Sequence, residues 1–72
     1  MAKLNVGDEV RIRDDATTEG KPFGELFLKL TWRVLSTDGE HVELQSRHLN
    51  TVLKMHTFAR KLRLALPEER SS

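Results

Sequence analysis

Between Trp32 and Met55 apolar side chains recur at every second position in three short runs: Trp32 and Val34, Val42 and Leu44, Leu53 and Met55. Period two over segments this short means strands with one buried face. The first two runs are separated by Ser36, Thr37, Asp38, Gly39 and Glu40. A two-residue Asp38-Gly39 turn would set Val34 against Glu43, a valine against a carboxylate. A three-residue loop of Thr37, Asp38 and Gly39, with the glycine closing a bulge, instead sets Ser36 opposite Glu40, Val34 opposite Val42 and Trp32 opposite Leu44. If residues 47–50 form the next turn, Leu44 meets Leu53 and Val42 meets Met55. The same register lines up Arg33, Glu43 and Lys54 on the outer face, and agreement of both faces selects it.

The flanks extend the pattern. Leu4, Val6, Val10 and Ile12 fall on one side of an opening strand and Arg11 and Arg13 on the other, with Gly7-Asp8 as a turn or bulge inside it. From residue 14 to residue 29 the period dissolves among turn formers, from Asp14 and Asp15 through Gly20, Pro22 and Gly24. Excursions of this length usually carry function. Phe23, Leu26, Phe27 and Leu28 are expected to tuck the loop onto the core. Residues 57–60 break the period as a single 3₁₀ turn. Leu62, Leu64 and Leu66 then point inward on a closing strand that Pro67 stops. The chain reads as one domain over residues 1–72, with a barrel core over 4–66 and a disordered tail over 67–72.

A chain of 72 residues without cysteine has neither a disulfide nor a thiolate metal site to supplement its core. The opening residues carry charge from Lys3 onward and no apolar signal core, and no apolar run approaches the length of a membrane span. A cytoplasmic protein is expected. Net charge is +1 from 12 basic and 11 acidic residues, which is no global nucleic-acid signature. The distribution is uneven: over residues 41–66, Arg47, Lys54, Arg60, Lys61 and Arg63 face one acid, Glu43.

Strand, long loop, three-stranded meander, 3₁₀ turn and closing strand resemble a Src-homology-3-like barrel, and its bacterial branch most. The segment from Val6-Gly7-Asp8-Glu9-Val10-Arg11-Ile12 to Ala16-Thr17-Thr18-Glu19-Gly20-Lys21-Pro22 looks like that family's first strand and loop. Trp32-Arg33-Val34 and Asp38-Gly39-Glu40-His41-Val42-Glu43-Leu44 look like its next hairpin. The resemblance implies an all-β, five-stranded barrel with one long loop and a single 3₁₀ turn, and a binding module without chemistry. In that family cell-wall and proline-peptide binding relies on exposed tyrosine and tryptophan. This chain has no tyrosine and one tryptophan, expected inside.

No catalytic set is expected. A nucleophile needs a base held beside it and a third group to orient it, and Ser36, Ser46, Ser71 and Ser72 fall in turns or the tail. Asp14 and Asp15 read as a solvated turn rather than a carboxylate pair. In the register above His41 lies opposite His56, and the two could share zinc with His48 or Glu40. The alternative is a pair of surface histidines, whose protonation near pH 6 would oppose like charges. No cofactor or metal is expected.

Two surfaces remain as candidates. Arg11, Arg13, Arg60, Lys61 and Arg63 converge if the first and last strands pair, and point to an anionic partner. The bland reading is a solvated face neutralised by Asp14, Asp15, Glu68 and Glu69. The loop offers Thr17, Thr18, Glu19, Lys21, Phe23 and Glu25 to a protein partner, with Phe23 an anchor if exposed and a pin if buried. The expected function is a small adaptor or inhibitor engaging a protein partner, in keeping with a phage or mobile-element origin. Nucleic-acid binding through the basic face and peptidoglycan binding are the alternatives.

Overall fold

The alternating residues from Trp32 to Met55 all fall in strands, as do Val10, Ile12, Leu62 and Leu64. The computed structural model describes residues 4–69. In chain order the elements are β1 (Glu9–Ile12), β2 (Thr17–Thr18), β3 (Lys21–Pro22), α1 (Glu25–Lys29), β4 (Trp32–Thr37), β5 (His41–His48), β6 (Thr51–Phe58) and β7 (Leu62–Leu64). Single 3₁₀ turns occupy Ala59–Lys61 and Pro67–Glu69. Five strands form one antiparallel sheet in the order β6-β5-β4-β1-β7, and β2 and β3 form a small ladder of their own. The protein is a small all-β fold with one short helix. Among the described residues no helix is long and apolar enough to cross a membrane.

The expected closed barrel does not form: β6 and β7 are the two edges of the sheet and share no ladder. Strand β7 is only three residues long, and a 3₁₀ turn stands where a ladder would begin. One backbone bond, from the Ala59 N–H to the Glu40 carbonyl at 2.8 Å, ties this turn to the β4–β5 connection.

The core is the inner face of the sheet. Val10, Ile12, Trp32, Val34, Val42 and Leu44 are each at most 1% exposed, and Leu53 and Met55 pack against them half-buried. The expected faces are therefore the observed ones, but the pairings are not. Val34 lies opposite Leu44, and Leu44 opposite Met55; Ser46 faces Leu53 and Val42 faces Thr57. The β5–β6 ladder and the β4–β5 ladder up to Val34 are displaced by two residues from the expected register, which leaves those side chains on their own faces. Beyond the bulge, Ser36 moves to the outer face opposite Glu43 and Thr37 pairs with Val42. The expected outer row of Arg33, Glu43 and Lys54 becomes Arg33, Gln45 and Lys54, while Glu43 lies between Ser36 and His56.

The β5–β6 displacement comes from its turn, and the β4–β5 displacement from its turn together with a bulge inside the strand. At the β5–β6 hairpin the strands run on to the His48–Thr51 pair, leaving a two-residue connection of Leu49 and Asn50 instead of four residues. At β4–β5 the ladder skips a residue between Val34 and Ser36, so a bulge sits within the strand and not at the loop. Asp38 closes this connection by accepting the N–H groups of Glu40 and His41 at 3.0 and 2.8 Å. Gly39 there takes φ +102°, a conformation open to glycine at little steric cost.

Four other expectations are corrected. Strand β1 starts only at Glu9: the Asp8 N–H bonds the Asn5 carbonyl at 3.0 Å in a tight turn, leaving Val6 66% exposed. The closing strand ends at Leu64, so Leu64 and Leu66 are exposed and Ala65 is buried between them. Of the tail, Pro67–Glu69 is an ordered turn, and residues 70–72 lie outside the described residues. The long loop is likewise structured. Its β2–β3 hairpin turns on Glu19 (φ 52°) and Gly20 (φ +77°), both left-handed as a two-residue turn with the strands' twist requires. Helix α1 then covers Trp32, whose indole N–H donates to the Phe27 carbonyl at 3.1 Å while the Phe27 ring meets it edge-on at 5.8 Å.

Candidate functional site

The pairing of β1 with β7 decides where the basic residues go. Arg11 lies directly opposite Arg63, and the Arg13 N–H extends the ladder to the Lys61 carbonyl at 2.9 Å. The expected convergence of Arg11, Arg13, Lys61 and Arg63, with Arg60 at the rim, thus occurs. It does not yield one uniform patch. The Glu69 carboxylate bridges the opposed arginines: Oε2 accepts from Arg11 Nη1 at 2.7 Å and Arg63 Nη2 at 3.0 Å, and Oε1 from Arg63 Nη1 at 2.8 Å. Oε1 also accepts the Leu66 N–H at 2.9 Å. These donors, the Arg63 guanidinium first, hold the Glu69 carboxyl down at about 2 from an ordinary 4.5, and the same contact holds Arg63 more firmly protonated. Arg11 is fixed from its other side, where Nη2 donates to the Leu28 carbonyl at 2.6 Å.

Arg13, Arg60 and Lys61 remain on the surface of the other end. Arg13 has an exposed contact with Asp15 at 3.6 Å, a class of ion pair worth about 0–1 kcal/mol. Arg60 lies over the Phe58 ring at 4.4 Å, and the Lys61 ammonium sits 5.4 Å from Phe58 and 5.9 Å from Phe23. Such contacts orient a cation without neutralising it.

Two clefts meet at Arg13 and Arg60. The first, about 510 Å³, joins Arg13, Arg60 and Lys61 to the loop residues Asp15, Thr17 and Glu19. The structure therefore brings part of the expected loop surface against part of the basic surface. Thr18 and Lys21 are exposed nearby on the same small ladder. Glu25 stands apart on α1, 3.8 Å from Lys29. Phe23 is buried at 8% exposure and pins the loop, so it presents no anchor.

The second cleft, about 730 Å³, is a groove left where the sheet fails to close. Leu4, Phe58, Ala59, Leu62 and Leu64 supply its apolar wall. Arg13, Arg60 and Arg63 stand around it with one acid, Glu40. Alternation had assigned Leu64 to the core, which concealed this surface. The signal lay in Pro67 so close behind Leu64, which leaves the strand too short to cover its own leucines.

The histidines are separated. His41 faces Phe58, with its ring 5.0 Å from the phenyl ring and Nδ1 3.4 Å from Asp38, whereas His56 faces Glu43. The proposed shared zinc position and the expected dip in stability near pH 6 lose their geometric basis. Among the described residues no group of three His, Cys, Asp or Glu side chains could hold a metal. Asp38 is held below its ordinary 3.8 by the N–H groups of His41 and Glu40, so it serves the turn.

No family model, no curated protein and no solved structure matches this chain.

Proposed function

We propose that the chain is a non-catalytic binding module that takes an apolar, acidic segment of a protein partner, acting as a small adaptor or inhibitor. The groove beside β7 carries this reading: exposed Leu64 and half-buried Leu4 and Phe58 stand within a rim of Arg13, Arg60 and Arg63. Leu64 is 45% exposed there, an area that association would remove from water. Its volume of about 730 Å³ lies within the range of roughly 300–1,000 Å³ usual for ligand sites. The cations add steering and select against basic partners. A Src-homology-3-like plan fits the same reading, supported by the strand order, the β1–β7 pairing and the 3₁₀ turn before the last strand. The groove would then be an opening peculiar to a short closing strand.

Nucleic-acid binding is the alternative, with Arg13, Arg60 and Lys61 as the available cations, since Glu69 holds Arg11 and Arg63. Base stacking lacks a broad exposed platform: Trp32 is 1% exposed and Phe23 8%, and Phe27, 37% exposed, is packed edge-on against Trp32. Cell-wall binding would need other aromatics than these.

A random peptide library displayed against the full chain tests the reading. Selected peptides are expected to combine Leu, Ile or Phe with Asp or Glu. Their affinity should fall by roughly tenfold, about 1.4 kcal/mol, with Arg60→Glu and again with Leu64→Ser. Failure to select any peptide, or selected peptides indifferent to both substitutions, overturns it. Single-stranded DNA binding that falls steeply with salt, in the absence of peptide binding, would favour the alternative.

A further inference from the structure

We propose that the Arg11–Arg63 pair is an oxyanion-binding site occupied by the chain's own Glu69, so that the Pro67–Glu69 turn competes with a partner's carboxylate for Arg63. This deepens the groove reading, because Arg63 belongs to both the pair and the groove. Two arginines directly opposed on neighbouring strands repel, and the arrangement is favourable only with an anion between them. Glu69 supplies that anion through a side-by-side contact with Arg63 and a shared contact with Arg11, the geometry by which guanidinium groups recognise carboxylates and phosphates.

The two arginines differ in a way that suits exchange. Arg11 is 22% exposed and anchored on the Leu28 carbonyl, so it is already ordered for whichever anion arrives. Arg63 is 41% exposed and reaches the groove wall. The occupying turn is held by polar contacts. Besides the carboxylate, these are the Thr31 hydroxyl donating to the Glu69 carbonyl at 2.8 Å and the Glu69 N–H donating to the Leu66 carbonyl at 2.8 Å. Leu66 is 50% exposed, and Pro67 and Glu68 are exposed with it. A segment with so little apolar burial opens at low cost. Glu69 stays ionised throughout the neutral range, so the competition is between like anions. A turn that holds Arg63 about nine-tenths of the time lowers a partner's apparent affinity about tenfold.

The test compares the full chain with Glu69→Gln, which keeps the shape of the side chain and removes its charge. Inorganic phosphate is titrated by calorimetry at constant ionic strength, and an acidic, apolar peptide from the display selection is titrated in parallel. Glu69→Gln is expected to bind phosphate at concentrations where the unaltered chain shows no heat, and to bind the peptide roughly tenfold more tightly. Adding Arg63→Gln should abolish both gains. Should Glu69→Gln fail to fold, Thr31→Val, which cuts the bond to the Glu69 carbonyl and leaves the ion pairs, is expected to show gains of the same sign and smaller size. Equal phosphate and peptide binding with and without the substitution overturns the proposal. Phosphate binding unique to the variant, with no peptide selected at all, supports the oxyanion site and removes the groove reading alone.

Discussion

Among the described residues, Leu49 and Glu19 are the two other than glycine that adopt a positive φ, and Leu49 is the one with a large apolar side chain. It sits at φ 57° with 84% of its surface exposed, at the tip of the β5–β6 hairpin. Left-handed backbone costs a residue with a β-carbon about 1–2 kcal/mol, and Leu49 recovers none of it through burial. The ladder that runs from His41–Phe58 to His48–Thr51 imposes the conformation. Asparagine tolerates this region better, so Leu49→Asn is expected to stabilise the fold by about 0.5–1 kcal/mol. Urea unfolding would show it as a higher midpoint at constant slope, and an unchanged midpoint would mean the strain is absent. Leu44 is the opposite case. At 0% exposure in the middle of the sheet, its truncation to alanine is expected to cost about 2–5 kcal/mol. Against the roughly 4–11 kcal/mol available to a chain of this length, that should leave the variant largely unfolded on mild warming, as read by circular dichroism.

At the scale of elements, the Pro67–Glu69 turn has a signature in acid. The folded Glu69 carboxyl, at about 2, lies below its ordinary 4.5. Its contribution to stability is therefore complete above about pH 4.5 and is lost as pH falls toward 2, because the unfolded chain takes up the proton first. Glu69→Gln should lower the urea midpoint at neutral pH and flatten the decline between about pH 5 and pH 2. An equally steep decline in the variant would place the effect elsewhere. The same element shows how far the sequence could be read. Alternation put Val34, Val42 and Leu44 on the core face and Arg33 and Lys54 outside, because faces depend only on odd and even positions. Register depends on turn length, and Leu49-Asn50 lacks the glycine that marks a two-residue hairpin turn, so the β5–β6 pairings slipped by two. The basic convergence was legible because Arg11 and Arg63 lie on strands that pair, and Arg13 and Lys61 are the residues that extend the pairing. Glu69 entered there only as one of four acids able to neutralise that face, and its specific role was not legible, because a short turn beyond a proline has no period to read. The groove was hidden for a related reason: Leu64 fits the alternation and is exposed only because the sheet stays open.

The whole molecule is a meander of neighbours, β4 to β6, completed by a seam between strands from the two ends of the described chain. The meander's pairings span tight connections, whereas Arg11 reaches Glu69 across 58 positions. Contacts that close large loops gain their enthalpy late, after the entropy of closure has been met. The β1–β7 seam is therefore expected to be absent from the rate-limiting species. Substitution within it, such as Ile12→Val, should speed unfolding while leaving the refolding rate nearly unchanged, whereas Val42→Ala in the meander should slow refolding. Stopped-flow chevrons separate the two, and a slowed refolding limb for Ile12→Val would refute this order of assembly. A protein so built would lose its lifetime before its equilibrium population: weakening the seam shortens how long each native molecule survives, while newly made chains reach the folded state as fast as before.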